Sequence, residues 1–154
     1  MELTIPYARL PVADFDELQT RLYTAAQEAL GLAYAPYSNF LVACAIGFEG
    51  GHVVTGNNQE NAAYPSGLCA ERVALFKGKS ESRAAIDTLL VMAQNDQGVL
   101  CETFPCGACR QVMLEYAGQQ ATPIKILMQA DSNSFLVVDD VRHLLPFSFT
   151  KDSL

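Results

Sequence analysis

The chain is short of charge, since Asp, Glu, Lys and Arg together make up 18% of its 154 residues. An ordinary soluble domain carries about 25% charged residues, so the sequence indicates either an apolar core of ordinary size or further surface buried between subunits. Hydrophobic residues account for 50% of the chain. A chain of this length is expected to form one domain, which buries roughly two-thirds of the surface exposed when unfolded.

Positive charge is scarcer than negative charge. Ten Lys and Arg face 17 Asp and Glu, which gives a net charge of −7 and a pI near 4.7. An acidic surface repels phosphate groups, so we expect neither nucleic acid nor a membrane surface as a partner. A small neutral substrate remains compatible with this charge.

Long hydrophobic runs are also missing. The longest, residues 40–48, is far shorter than the roughly 20 residues that a membrane-spanning helix needs. The N-terminal segment contains Glu2, Pro6 and Pro11 and has no continuous apolar region of the kind found in signal peptides. We therefore expect a soluble, cytoplasmic protein.

The cysteines are odd in number, which does not suit a framework of disulfides. There are five, at positions 44, 69, 101, 106 and 109. In a chain without a secretion signal, this count favours metal binding or catalysis over disulfide formation.

The hydrophobic pattern predicts a leader over residues 1–13 and a single domain over residues 14–154. Asp14 is the candidate N-cap of the first helix, which Gly31 would end. Lys77 and Gly78 would end the second helix. The predicted helices cover residues 16–30, 70–78, 106–118 and 139–145, and the predicted strands cover residues 40–48, 52–58, 86–94, 124–130 and 134–138. This order predicts an α/β fold with a mixed sheet flanked by helices on both faces.

Two short motifs carry the chemistry. Cys69-Ala70-Glu71 and the P-C-x-x-C run that holds Cys106 and Cys109 each begin a predicted helix. Thiolates are favoured at helix N-termini by the unpaired N–H groups and the helix dipole. Three such thiolates would bind zinc and leave its fourth tetrahedral position for water, as in catalytic zinc sites.

The residues that follow Cys69 complete this arrangement. Glu71 can reach the water as a proton carrier without binding the metal, and this combination of motifs is typical of zinc deaminases. Three thiolates on Zn²⁺ leave a net negative charge. Arg72 is the candidate to donate hydrogen bonds to the thiolates and offset that charge.

Four segments extend the pattern beyond the zinc motifs: PYSNFLVACA, GNNQENAAYPSGLCAERVALF, PCGACRQVMLE and LLPFSF. Together they resemble cytidine deaminases of the small, zinc-dependent, homotetrameric class, over residues 34–149. The resemblance implies hydrolytic deamination of cytidine and deoxycytidine in pyrimidine salvage. It also implies the three-layer α/β/α fold of that family, with a mixed five-stranded sheet.

The resemblance implies roles for individual residues. Cys69, Cys106 and Cys109 become the zinc ligands and Glu71 the proton shuttle. The remaining implied contacts to the substrate are those of Asn58 and Glu60 with the sugar, Phe40 and the Ala70 backbone with the base, and Phe149 with the site of a neighbouring subunit. An amide and a carboxylate two residues apart in extended backbone face the same way and suit sugar hydroxyls.

Two positions depart from the family pattern. Cys44 stands in the strand motif VACA, where the commoner form is VGAA, and we interpret it as a small core residue. Phe104 precedes Pro105, where a small hydroxyl residue is common. A change of side chain there leaves the backbone carbonyl, which faces the exocyclic amine in this family.

Other hypotheses use only part of the pattern. Cys101, Cys106 and Cys109 have the spacing of plant-type ferredoxins, but no fourth cysteine follows them. A thioredoxin-like module or a structural zinc module would leave Glu71 without a role. Among deaminases, free cytosine, guanine and a tRNA adenosine are alternative substrates. The acidic pI argues against tRNA, and the Asn58–Glu60 pair argues against free bases.

Overall fold

A mixed sheet of seven strands forms the centre of the structure, a computed structural model that describes residues 2–154. The strands are β1 (Ala8–Pro11), β2 (Leu41–Phe48), β3 (Val53–Asn57), β4 (Ile86–Gln94), β5 (Leu100–Cys101), β6 (Lys125–Gln129) and β7 (Ser134–Val138). Their order is β1-β7-β6-β4-β2-β3, and β5 pairs with the end of β4. The β4–β6 pair is parallel, and the other strand pairs among the described residues are antiparallel.

Three α-helices cover the sheet: α1 (Glu17–Leu30), α2 (Ala70–Glu81) and α3 (Gly107–Ala117). Short 3₁₀ helices occupy Val12–Asp14, Tyr64–Ser66, Val141–Leu144 and Lys151–Ser153. Within residues 2–154, no helix has the length and apolarity that crossing a bilayer requires. The predicted fold class, α/β with helices on both faces of a mixed sheet, is confirmed.

The two faces of the sheet form two separate hydrophobic cores. Along β2, Ala43 and Ala45 pack towards α1, whereas Cys44 and Ile46 pack towards α2 and α3. Successive side chains of a strand point to opposite faces, so a strand covered on both faces is apolar throughout. This explains why β2 contains no polar side chain between Leu41 and Phe48.

The sheet has two strands more than the predicted five. β1 lies within the predicted leader, pairs with β7 and is fixed by an ion pair of 2.8 Å between Arg9 and Asp131. It was missed because it is short, mostly exposed and ends in proline, which is tolerated at a sheet edge. β5 has only two residues and therefore shows no period that a sequence pattern could reveal.

Two predicted helix boundaries and one predicted helix type are wrong. Asp16, not Asp14, caps α1: its side chain accepts a hydrogen bond of 2.8 Å from Gln19 N–H, and the Gln19 side chain accepts one of 3.1 Å from Asp16 N–H. α2 continues past Gly78, because this glycine serves packing: a Cβ there would lie 2.6 Å from the Phe48 ring. The last predicted helix is a 3₁₀ helix of four residues.

Candidate metal centre and active site

The three thiols of the zinc motifs lie at the starts of two helices. Cys69 is the N-cap of α2, and Cys106 is the N-cap of α3. Cys109 lies in the first turn of α3 and is fully buried. The first backbone N–H groups of a helix have no partner within the helix, so both helices direct partial positive charge at the thiols.

Gly56 sets the position of α2. A Cβ at this residue of β3 would lie 2.4 Å from the backbone nitrogen of Ala74 and 2.8 Å from the carbonyl oxygen of Ala70. Any side chain would therefore push the helix off the strand. With glycine, the start of α2 lies directly on β3, and Cys69 comes close to the residues that follow that strand.

The thiols are arranged as a metal site requires. The Sγ atoms of Cys69 and Cys106 are 3.8 Å apart, and those of Cys106 and Cys109 are 3.6 Å apart. All three lie within 4.8 Å of one another. Tetrahedral zinc with Zn–S bonds of about 2.3 Å places its sulfur ligands about 3.8 Å apart. The separations of Cys106 from Cys69 and from Cys109 thus match those of a tetrahedral zinc site.

Arg72 contacts this cluster from α2. Its Nη2 atom donates a hydrogen bond of 3.6 Å to the Cys69 Sγ atom. Its Nε atom is buried and has no hydrogen-bond partner among the described residues. The pKa of Cys69 is lowered to about 5, first by a hydrogen bond from the Cys109 thiol and further by Arg72. The pKa of Cys109 is raised, because its thiol gives that hydrogen bond to Cys69.

Glu71 lies beside the cluster and is almost fully buried, with 4% of its surface exposed. Burial raises the pKa of its carboxyl group, and the negative charge of Cys69 raises it further. The Cys109 thiol hydrogen-bonds to the carboxylate and opposes this rise. A carboxyl group with a raised pKa exchanges protons more readily near neutral pH than an exposed one, which suits general acid–base catalysis.

A cavity of about 510 Å³ opens next to Cys69 and Arg72. Its other lining residues come from the loops around β2 and β3, and they are Tyr37, Ser38, Asn58, Gln59, Glu60, Asn61, Tyr64, Gly67 and Leu68. The space is large enough for a small molecule and lies against the thiol cluster. The structure therefore brings Asn58 and Glu60, the two residues expected to contact a sugar, to the same cavity as Cys69.

Both polar ends of the Asn58 side chain are held by backbone. Its Nδ2 atom donates a hydrogen bond of 2.9 Å to the Phe40 carbonyl oxygen, and its Oδ1 atom accepts one of 2.9 Å from Val42 N–H. The Glu60 carboxylate is held by Tyr37 and Ser38. Tyr37 and Ser38 are not among the predicted site residues, although the PYSNF segment places Ser38 two positions before Phe40.

The other predicted substrate residues are placed differently. Phe40 is half-buried just before β2, and Ala70 is fully buried in the first turn of α2. Phe149 is 62% exposed and lies against the outer surface of α3, where its carbonyl oxygen accepts a hydrogen bond of 2.8 Å from Gln111. It does not line the cavity of its own chain.

Two further cysteines lie outside the cluster. Cys44 is fully buried in the core shared with α2 and α3, as expected of a small core residue. Cys101, which would complete the ferredoxin-like spacing, lies in β5. The cluster found within residues 2–154 comprises Cys69, Cys106 and Cys109 instead.

Comparison with known proteins agrees with this geometry. Residues 16–123 match the family model for the cytidine and deoxycytidylate deaminase zinc-binding region. The chain is 39% identical over 122 residues to a cytidine deaminase of Halalkalibacterium halodurans, covering 79% of this chain and 86% of the relative. It is 35% identical over 134 residues to a cytidine deaminase of Sporosarcina psychrophila, covering 87% and 93%.

Solved structures show the same relationship. The crystal structure of cytidine deaminase from Burkholderia pseudomallei superposes with a TM-score of 0.73 at 34% identity, covering 84% of this chain and 98% of that one. The enzyme from Mycobacterium tuberculosis superposes with a TM-score of 0.64 at 32% identity, covering 85% and 96%. The cofactor of the protein is zinc, and the chain belongs to the cytidine and deoxycytidylate deaminase family.

Proposed function

We propose that the protein hydrolyses cytidine and deoxycytidine to uridine and deoxyuridine and releases ammonia, as a step of pyrimidine salvage. One observation carries this proposal: three thiols cluster beside the buried Glu71 carboxyl group, and one of them, Cys69, lines a cavity whose walls include Asn58 and Glu60. The relatives in Halalkalibacterium halodurans and Sporosarcina psychrophila are named cytidine deaminases, which supports the same substrate.

Cys69, Cys106 and Cys109 would hold the metal through their thiolates. Zinc bound by three protein ligands supplies a Lewis acid and a water of lowered pKa. Three thiolates make the site negative, so the guanidinium group of Arg72 on Cys69 offsets part of that charge.

Glu71 carries the protons of the reaction. Its carboxylate accepts a proton from the attacking water while the water oxygen bonds to C4 of the cytosine ring, and it passes this proton to N3. The carboxylate then takes the remaining proton from the C4 hydroxyl and gives it to the amine, so that the C4 carbonyl forms, the C4–N bond breaks and ammonia leaves. Burial of Glu71 supports this role, since it raises the carboxyl pKa and favours both uptake and release of a proton.

The substrate is oriented by residues that contact its sugar and by residues that contact its base. Asn58 and Glu60 bind the hydroxyl groups of the sugar, because an amide and a carboxylate can accept the hydrogen bonds that hydroxyls donate. Phe40 packs on the pyrimidine ring, and the Ala70 backbone contacts the base. The hydrogen bond between Asn58 and the Phe40 carbonyl supports a common position for the sugar and base contacts.

The active enzyme is a homotetramer in which Phe149 of one chain enters the site of a neighbour. Its exposure, and the fact that it does not line the cavity of its own chain, support a role outside that chain. All five cysteines are free, which supports a reducing compartment such as the cytoplasm.

One assay tests the proposed function. The loss of cytidine absorbance is followed with purified protein, and zinc is measured on the same sample. We expect deamination of cytidine and deoxycytidine with about one zinc per chain, and neither activity nor zinc in a Cys106→Ala variant. A zinc-loaded protein that leaves both nucleosides unchanged would overturn the proposal.

A further inference from the structure

We propose that Ser38 is a specificity-determining positioning residue that aims the Glu60 carboxylate at a hydroxyl group of the nucleoside sugar. The inference deepens the function proposed above and rests on it. Ser38 and Glu60 are 22 residues apart in the sequence, and both line the cavity beside Cys69.

Three hydrogen bonds from one short segment hold the Glu60 carboxylate. The Oε2 atom accepts bonds of 2.9 Å from Tyr37 N–H and 3.3 Å from Ser38 N–H. The Oε1 atom accepts a hydrogen bond from the Ser38 hydroxyl group. Two bonds to one oxygen and one to the other fix both the position and the rotation of the carboxylate.

The number of these bonds determines what Glu60 can still bind. An ionised carboxylate offers about four acceptor sites, two on each oxygen. The backbone N–H groups of Tyr37 and Ser38 occupy both sites of Oε2, and the Ser38 hydroxyl occupies one site of Oε1. A single acceptor site therefore remains, on Oε1, for a ligand in the cavity.

The Ser38 hydroxyl group is itself oriented. Its Oγ atom accepts a hydrogen bond of 3.1 Å from Phe40 N–H. This contact occupies a lone pair of the hydroxyl oxygen and leaves its proton for Glu60. Hydrogen bonds in such a chain polarise one another, so the Phe40–Ser38–Glu60 series is stronger than its separate bonds.

The turn that holds Ser38 is shaped for this contact. Asn39 has a φ of 55°, a left-handed conformation that few residues other than glycine adopt and that Asn tolerates best. Next to this turn, the Ser38 hydroxyl group accepts its hydrogen bond from Phe40 N–H, directly before β2. Asn58 holds the same segment through the Phe40 carbonyl and Val42 N–H, so both sugar-binding candidates are tied to residues 37–42.

The hydrogen bonds also keep Glu60 ionised. They lower the pKa of its carboxyl group, with the Ser38 hydroxyl as the largest cause. An ionised carboxylate accepts hydrogen bonds and donates none. The remaining acceptor site on Oε1 therefore selects a ligand that donates a hydrogen bond, such as a sugar hydroxyl group. A free base has no sugar and makes no hydrogen bond at this site.

A double-mutant cycle tests this proposal with cytidine as substrate. The variants are Ser38→Ala, Ser38→Thr, Glu60→Ala and the double variant Ser38→Ala/Glu60→Ala. Loss of one hydrogen bond to a charged group should raise the KM of Ser38→Ala about five- to tenfold and leave kcat within about twofold. Ser38→Thr keeps the hydroxyl group and should stay close to wild type.

Ser80→Ala is the matched control, because the Ser80 hydroxyl bonds the Lys77 carbonyl on the exposed surface of α2. If Ser38 acts through Glu60, removing the Ser38 hydroxyl group from the Glu60→Ala variant should change KM no further. A KM of Ser38→Ala equal to that of wild type, or effects of the two substitutions that simply add, would overturn the inference while the proposed function stands.

A second measurement does not depend on turnover. The Glu60 carboxyl group is titrated by NMR in the wild-type protein and in Ser38→Ala, with circular dichroism as a check on folding. The carboxyl pKa should rise when the hydroxyl donor is removed. A wild-type protein that is zinc-loaded but inactive would contradict the proposed function, and an unchanged Glu60 pKa would overturn the role of Ser38.

Discussion

The Sγ atoms of Cys69 and Cys106 lie 3.8 Å apart, although 37 positions separate the two residues in the sequence. Each is the N-cap of a different helix, α2 or α3, on the same face of the sheet. Neither helix alone supplies three ligands, so the metal centre exists only once both helices have packed. Metal binding and packing of this face should therefore be coupled.

The first prediction concerns the ligands. Cys106→Ala should lose its zinc, because two thiolates no longer make a three-ligand site. Cys101→Ala is the matched control, since Cys101 lies in β5 outside the cluster. Metal analysis of the purified proteins checks this, and mercurial titration of the thiols should release about one zinc per wild-type chain. Full zinc content in Cys106→Ala would contradict the assignment.

The second prediction concerns Arg72. Removal of an outer contact to a metal ligand typically lowers metal affinity by about 10- to 100-fold. Arg72→Ala should therefore lose its zinc at a chelator concentration that is about 10- to 100-fold lower than the concentration that wild type requires. Arg83→Ala removes the same charge from an exposed position of the surface and should behave as wild type. Equal zinc affinity in the two variants would remove Arg72 from the metal site.

The third prediction concerns the C-terminal tail. Phe149→Ala should lose most deaminase activity while its circular dichroism spectrum and unfolding midpoint stay close to wild type, because the side chain is 62% exposed in its own chain. Phe147→Ala is the control, from a residue that is even more exposed. Light scattering should give a tetramer for wild type. A fully active monomer would refute a site shared between chains.

The fourth prediction concerns the edge strand β1. The pKa of Asp131 is lowered, first by the Ser134 hydroxyl and also by Arg9. Such a carboxyl group has a lower pKa in the folded protein than in the unfolded chain, where Asp has a pKa of about 3.9. It therefore stabilises the fold at pH values above the unfolded pKa. This stabilisation is lost as the pH falls through the folded pKa. Asp131→Asn should lower the thermal midpoint at pH 7. The difference in thermal midpoint between Asp131→Asn and wild type should shrink below about pH 4. A difference in thermal midpoint that does not depend on pH would contradict this prediction.

Much of the fold could be predicted from the sequence because its signals are local. β2 is a continuous apolar run, β4 contains one over residues 89–93, and Gly31 and Gly118 end their helices as expected. Edge strand β1 escaped notice because its pairing with β7 involves residues more than 120 positions away. Gly78 was misinterpreted as a helix end, because its contact with Phe48 is a tertiary one.

The metal site could be predicted further than the substrate site. Cysteine spacing is a strong signal, and the three thiols indeed meet. The support of Glu60 by Ser38 depends on a turn at Asn39, which no spacing rule indicates. The position of Phe149 relative to another chain is a property of the assembly, which a single sequence does not determine.

The most direct test of the account is the turnover of a Glu71→Gln variant. Glutamine keeps the size of the side chain but cannot carry a proton, and general acid–base catalysis contributes about 10² to 10⁴ in rate. We expect kcat for cytidine to fall by at least about 100-fold, with zinc content near wild type because Glu71 is not a ligand. Turnover within about tenfold of wild type, only about 1.4 kcal/mol of barrier, would contradict the proposed mechanism.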